Sequence, residues 1–195
     1  LLVTGVQTCA LPILSTMSAE KNQLNNTWTL WYECRPETIE EDTEWSSQQK
    51  PIASFSTVED FWCIYNNILP IRKLGSNCKY HYFKEGISPS WEDENNTNGG
   101  SWRFAVRPTE WIGEDKWITL LLSVIGESMD PSGESVCGVS VVMKNKGGRI
   151  EVWVKNVEDK CVIASIGRRL RSLNVVDKKE KVEFRKHGGE VLYVL

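Results

Sequence analysis

The sequence predicts an α+β fold: a single antiparallel sheet of about seven to eight strands, covered on one face by three α-helices. Three observations carry this reading. Short segments alternate apolar and polar residues with the two-residue period of a strand. Gly-rich turns join several of them, which favours antiparallel pairing. Three longer segments place apolar residues at helical spacing.

In chain order, residues 27–35 alternate, with Trp28, Leu30, Tyr32 and Cys34 on one face and Thr29, Trp31 and Glu33 on the other. Residues 36–44 form an acidic loop that ends at Trp45. A helix is expected over 56–69, where Ser56 and Glu59 have capping-box spacing. Phe61, Ile64, Tyr65 and Ile68 make its inward stripe, and Val58, Trp62 and Leu69 fall on its flank. A flank Trp is either the rim of a core or a docking knob for a partner. Residues 80–84 and 102–107 read as strands, and the polar loop SPSWEDENNTNGG between them contains Trp91.

The second helix, 114–127, is apolar nearly all round through Trp117, Ile118, Leu120, Leu121, Leu122, Val124 and Ile125. Either the core covers all of it or a partner covers one strip. Residues 135–144 and 149–155 form a hairpin. In its second arm Ile150, Val152 and Val154 point one way, and Arg149, Glu151, Trp153 and Lys155 the other, so Trp153 stands on a charged face. A third helix, 158–173, turns Val162, Ile166, Leu170 and Leu173 inward. Strands at 182–186 and 191–195 close the sheet around His187-Gly188-Gly189.

The chain of 195 residues suits one domain, and its formal charge of -3 argues against a general nucleic-acid coat, so any nucleic-acid contact is expected to be local. No apolar run reaches the roughly 18 residues a bilayer span needs. The 6 cysteines form no CxxC pair and lie near neither histidine in sequence, so free thiols in a reduced, intracellular protein are expected, with no metal and no cofactor. Residues 1–16, containing VTGVQTCALPI, resemble a translated sequencing adapter more than a signal peptide, because a basic leader and a sustained apolar run are missing. Residues 17–26 are expected to be a flexible tail and 27–195 the domain.

The composition has one outlier, its 9 tryptophans. Trp28, Trp31, Trp102 and Trp117 are assigned to core or sheet packing, and Trp111 to no role. Trp45, Trp91 and Trp153 sit in polar settings, beside the acidic run Glu92-Asp93-Glu94 and the basic hairpin residues Lys144, Lys146 and Arg149. A flat, cationic ligand with a phosphate tail fits that set, and an N7-alkylated guanine is such a ligand. Its ring stacks on indole faces by cation–π attraction. A carboxylate accepts from its N1–H and N2–H groups together, and Lys and Arg hold phosphates.

The runs TVEDFW (57–62), FKEGISPSWEDE (83–94), IGES (125–128) and VCGVSVVMKNKGGRIEVW (136–153) closely resemble the eukaryotic cap-binding translation initiation factors, the four-E family, with the likeness running from about Asn26 to His187. The resemblance implies a curved sheet with a slot for 7-methylguanosine on its concave face, and no catalysis. Trp45 and Trp91 would sandwich the base, and Glu92 would pair with N1 and N2, with the Trp91 backbone N–H on O6. Trp153 would meet the N7 methyl, and Lys144, Lys146 and Arg149 would hold the phosphates. On the helical face Val58, Trp62, Ile118 and Leu122 would receive a short helical peptide from a scaffold or repressor, which decides Trp62 for docking.

The implied protein is a monomer, cytoplasmic with a nuclear pool left open, that binds the mRNA cap and recruits a scaffold to start translation. A cap-binding repressor of the same family is the alternative, and a hydrolase of capped nucleotides a remote one. Departures from the family pattern touch the partner face (Asn22-Gln23-Leu24, Thr119) and the phosphate grip (Lys79, Ser101, Val142, and the exchange of Lys and Arg at 144 and 149).

Overall fold

The computed structural model describes residues 20–34, 49–107, 115–144 and 147–195. The expected architecture is present. Among the described residues, eight strands form one open sheet in the order β2-β1-β3-β5-β6-β4-β7-β8, and every pairing is antiparallel. The strands are β1 (Gln23–Cys34), β2 (Gln49–Thr57), β3 (Cys78–Lys84), β4 (Gly100–Val106), β5 (Val136–Lys144), β6 (Gly147–Val154), β7 (Val182–Lys186) and β8 (Val191–Val194). The helices are α1 (Val58–Asn67), α2 (Asp115–Ile125) and α3 (Lys160–Ser172). No helix among the described residues is long and apolar enough to cross a membrane.

Alternation sorts the strands into two unequal faces. Trp28, Leu30, Tyr82, Trp102, Val139, Val152 and Phe184 point to the helices and form the main core with Phe61, Trp117, Leu120, Ile163 and Leu170. The other face carries a small cluster of Phe83, Cys137 and Trp153, with Trp31 and Ile87 against it. The remainder of that face is mostly polar, with Val142 and Ala105 as exceptions. Gly138 lets the Phe83 ring cross β5, since a Cβ there would lie 2.5 Å from the ring.

The structure corrects several local expectations. β1 starts at Gln23, so residues expected in a flexible tail belong to the sheet. Asn22 is held as well, because its backbone N–H and side-chain amide donate to the Glu59 carboxylate at 2.9 and 2.7 Å. That engages Glu59 away from its expected capping role. The N-cap of α1 is Thr57, whose hydroxyl accepts from Asp60 N–H at 3.1 Å and donates to the Asp60 carboxylate at 2.8 Å. The N-cap is thus one residue later than the Ser56–Glu59 reading, and the helix ends at Asn67, before Leu69. The inward stripe of α3 turns toward Ile163, Ile166 and Leu170, leaving Val162 and Leu173 half-buried. β2 has no counterpart in the sequence reading.

The expectation of free thiols fails at one pair. Register places Cys34 opposite Cys78 with 4.0 Å between their Cα atoms, and the two are joined as a disulfide. Cys137 is a free buried thiol, and Cys63 and Cys161 are free and exposed. Among the described residues no group of three or more His, Cys, Asp or Glu is placed to hold a metal ion.

Candidate functional site

The face opposite the helices opens into a cavity of about 910 Å³. Three parallel rows cross that face by register, and their central residues form the cavity floor. The first row runs Phe83, Gly138, Trp153, Ser101, Arg185. The second runs Trp31, His81, Ser140, Glu151, Arg103, Glu183. The third runs Glu33, Lys79, Val142, Arg149, Ala105. An apolar band therefore lies beside two bands of polar and charged groups.

The rim is the loop after β3. Trp91 stands on it 60% exposed, with Glu92 next to it and also exposed. The loop is internally tied. The Asp93 carboxylate accepts from Ser88 N–H at 2.8 Å, Ser88 Oγ at 2.9 Å and Asn95 N–H at 2.9 Å. Partial burial works against the charge of Asp93, but these donors hold its carboxyl below the usual range. Asn96, fully buried, donates to the carbonyls of Ser88 and Ser90 at 2.9 and 2.8 Å. The indole is thus carried on a braced turn.

Trp153 lies on the floor, 8% exposed, between Phe83 (ring centroids 5.3 Å apart, interplanar angle 74°) and His187 (4.2 Å, 35°). Burial, reinforced by the nearby Arg103 charge, lowers His187 to about 4, so it meets Trp153 as a neutral ring at neutral pH.

The polar floor is a buried network centred on Glu33, which is 1% exposed. Lys79 Nζ donates to its carboxylate at 2.7 Å and Gln49 Nε2 at 3.2 Å. His81 Nε2 lies 3.3 Å from the same carboxylate, close enough for attraction but poorly aligned for a hydrogen bond. Burial alone would raise the Glu33 carboxyl, yet His81, Lys79 and Gln49 together bring it down to about 2. Burial lowers His81 as its largest influence, opposed by Glu33. A neutral imidazole with Nε2–H toward Glu33 leaves Nδ1 to accept from Ser140 Oγ, 2.7 Å away.

Glu33, His81 and Ser140 therefore have the connectivity of a nucleophilic triad. Ser140 is 5% exposed in the middle of β5, however, with strands paired on both sides. Its neighbouring backbone N–H groups serve the sheet ladder and offer no oxyanion site. The network braces the floor.

The structure brings Trp91, Glu92, Trp153 and Arg149 to one cavity. Lys144 is exposed at the end of β5, outside the cavity lining. Trp45 and Lys146 lie outside the described residues. Trp31 was assigned to packing, yet it is half-buried on the cavity floor, because its strand has a second face that is neither core nor solvent. Sequence reasoning also missed Arg103, His81, Ser140 and Glu33 as site residues. Their one signal was polarity at strand positions on the same face as Trp31 and Trp153. On the helical face Val58, Trp62 and Leu122 are 36%, 37% and 39% exposed, and Ile118 is half-buried. Trp62 sets its ring edge-on to Phe61 and Tyr65, at centroid distances of 5.1 and 5.8 Å.

A sheet that packs its three described helices on one face and opens an aromatic, charge-lined cavity on the other defines a ligand-binding sheet protein. The family model for eukaryotic initiation factor 4E matches residues 23–191. The chain is 38% identical over 172 residues to eukaryotic translation initiation factor 4E of Candida albicans, covering 87% of this chain and 81% of that protein. It is 35% identical over 170 residues to the protein of the same name from Aplysia californica, covering 86% and 77%. Among solved structures, Ascaris suum eIF4E-3 with an m7G cap aligns at a TM-score of 0.81 and 32% identity, covering 90% of this chain and 98% of that one. The complex of C. elegans eIF4E-3 with the 4E-binding protein Mextli and a cap analog aligns at 0.81 and 31%, covering 90% and 100%. The chain belongs to the eukaryotic initiation factor 4E family.

Proposed function

We propose that this chain binds the 7-methylguanosine 5′ cap of mRNA and recruits a scaffold protein that starts translation. The observation that carries the reading is the pairing of Trp91 and Glu92, on a braced rim, with Trp153 on the floor of one cavity. In this reading Trp91 and Trp45 stack on the two faces of the cationic base. Glu92 accepts from N1–H and N2–H, and the Trp91 backbone N–H donates to O6. Trp153 meets the N7 methyl, and Lys144, Lys146 and Arg149 hold the phosphates.

Val58, Trp62, Ile118 and Leu122 receive the apolar face of a partner helix. Binding involves no chemical step, and the place of action is the cytoplasm, where translation starts. Retention on 7-methyl-GTP resin, released by the methylated but not the plain nucleotide, is the expected result, and absence of retention refutes the reading. A repressor of the same family is favoured by one feature, the exposed, uncharged Thr119 between Ile118 and Leu122 on the partner face. Rescue of cells that lack the initiation factor excludes the repressor; cap binding without rescue supports it.

A further inference from the structure

Adjoining the basic hairpin, whose Arg149 it shares, the cavity face holds a wider group of cations. Arg149 Nε lies 2.7 Å and Arg103 Nε 3.8 Å from the Glu151 carboxylate. Lys181 Nζ lies 2.5 Å and Arg185 Nε 3.2 Å from that of Glu183. Each carboxylate serves two cations, so the group carries excess positive charge. Glu151 sits much nearer Arg149, which leaves Arg103 the less compensated of its two partners.

Arg103 is also the better prepared to take a ligand. Its Nε donates to Ser101 Oγ at 2.8 Å, which fixes the plane of the guanidinium. Among the described residues its terminal nitrogens make no hydrogen bond, and the side chain, 26% exposed, lines the cavity. Burial lowers Arg103 from its ordinary value, and a guanidinium so lowered still keeps its charge. Register then gives its position. Trp153 pairs with Ser101, Glu151 with Arg103, and Arg149 with Ala105. Each step of two residues advances roughly 6.8 Å. Arg103 therefore stands midway between the indole under the base and the arginine at the hairpin.

We infer that Arg103 is an additional phosphate-binding residue, whose fork, fixed by Ser101 and braced by Glu151, grips the phosphate nearest the ribose. The inference rests on the cap-binding reading. A planar fork matches two phosphate oxygens at once.

The test measures affinities of wild type, Arg103→Leu and Arg103→Lys for 7-methyl-GTP and for the uncharged-tail 7-methylguanosine nucleoside, at two salt concentrations. Arg103→Leu is expected to bind the triphosphate about tenfold more weakly with a flatter salt dependence, and the nucleoside within about twofold of wild type. Arg103→Lys is expected to recover part of the loss, because it keeps the charge but not the fork. Triphosphate affinity within about twofold of wild type in Arg103→Leu overturns the inference. So does equal loss of nucleoside and triphosphate in both variants, which marks Arg103 as support for the slot. Wild type that binds neither compound refutes the cap-binding reading itself, and the inference with it.

Discussion

Trp91 spends 60% of its surface in solvent, an expensive exposure for an indole unless a ligand covers it. The loop beneath it keeps its shape through Asp93 and Asn96, so truncating the indole should leave the fold intact. Trp91→Ala is expected to weaken 7-methyl-GTP binding by about 1 to 3 kcal/mol, the value of one stacking wall. Its unfolding midpoint should correspond to a change within about 0.5 kcal/mol, as for other exposed sites. Fluorescence titration and a thermal melt check the two parts. Glu33 is the opposite case, buried and paired. Its carboxyl titrates near 2 in the folded chain against an ordinary 4.5, so the unfolded chain takes up the proton first as pH falls. The stabilisation is present above pH 4.5 and disappears as pH falls through about 2. Glu33→Gln is expected to remove on the order of 3 kcal/mol at neutral pH and to flatten the stability profile across that window. Denaturant melts at a series of pH values measure it.

At the scale of elements, the shifted cap of α1 makes a sharp comparison. Thr57→Ala should cost about 1 kcal/mol, because Asp60 N–H loses its acceptor, while Ser56→Ala should stay within about 0.5 kcal/mol. Equal losses in urea melts would restore the Ser56 reading. The shift was hidden because Ser56 and Thr57 are both good caps, each followed three residues later by an acid. Tertiary contact decided between them: Asn22, at the entry to β1, occupies Glu59. β2 was hidden for another reason. It is an edge strand that contains Pro51 and buries only Phe55 and Thr57, so its alternation is faint. The β5–β6 hairpin was legible from its second arm, where Arg149, Ile150, Glu151 and Val152 alternate, and that alternation placed Trp153 on the face opposite the core. The remainder of the floor was not legible. His81, Ser140 and Arg103 lie in separate strands, where a lone polar position reads as solvent-facing, and only the pairing register brings them into one row.

The whole molecule is a sheet with a ligand cavity on one side and helices on the other, and the sheet between them is densely filled. Val139, Val141, Ile150 and Val152 are each at most 2% exposed beneath the helices, in the same strands that carry Ser140, Val142, Arg149, Glu151 and Trp153 on the cavity side. Cores packed in this way transmit displacement only where an element has a second stable arrangement. Trp62 belongs to α1, which packs on the Phe55 end of β2, whereas β2 meets the cavity only at its other end through Gln49, and the remaining floor lies on β1, β3, β5, β6 and β4. The two faces are therefore expected to act independently. Trp62→Ala should weaken binding of a helical scaffold peptide by about 2 kcal/mol or more while 7-methyl-GTP affinity stays within about twofold, and Trp91→Ala should weaken 7-methyl-GTP binding by about 1 to 3 kcal/mol while peptide affinity stays within about twofold. In the double variant each ligand's loss should match that of the single variant within about 0.5 kcal/mol. A complete cycle of titrations, with cap analogue and peptide added in either order to each variant, measures the coupling directly. Cap affinity that rises more than about tenfold on adding peptide would give a coupling above about 1.4 kcal/mol. The sheet would then have two arrangements, with the edge beside α1 the place to look for the second.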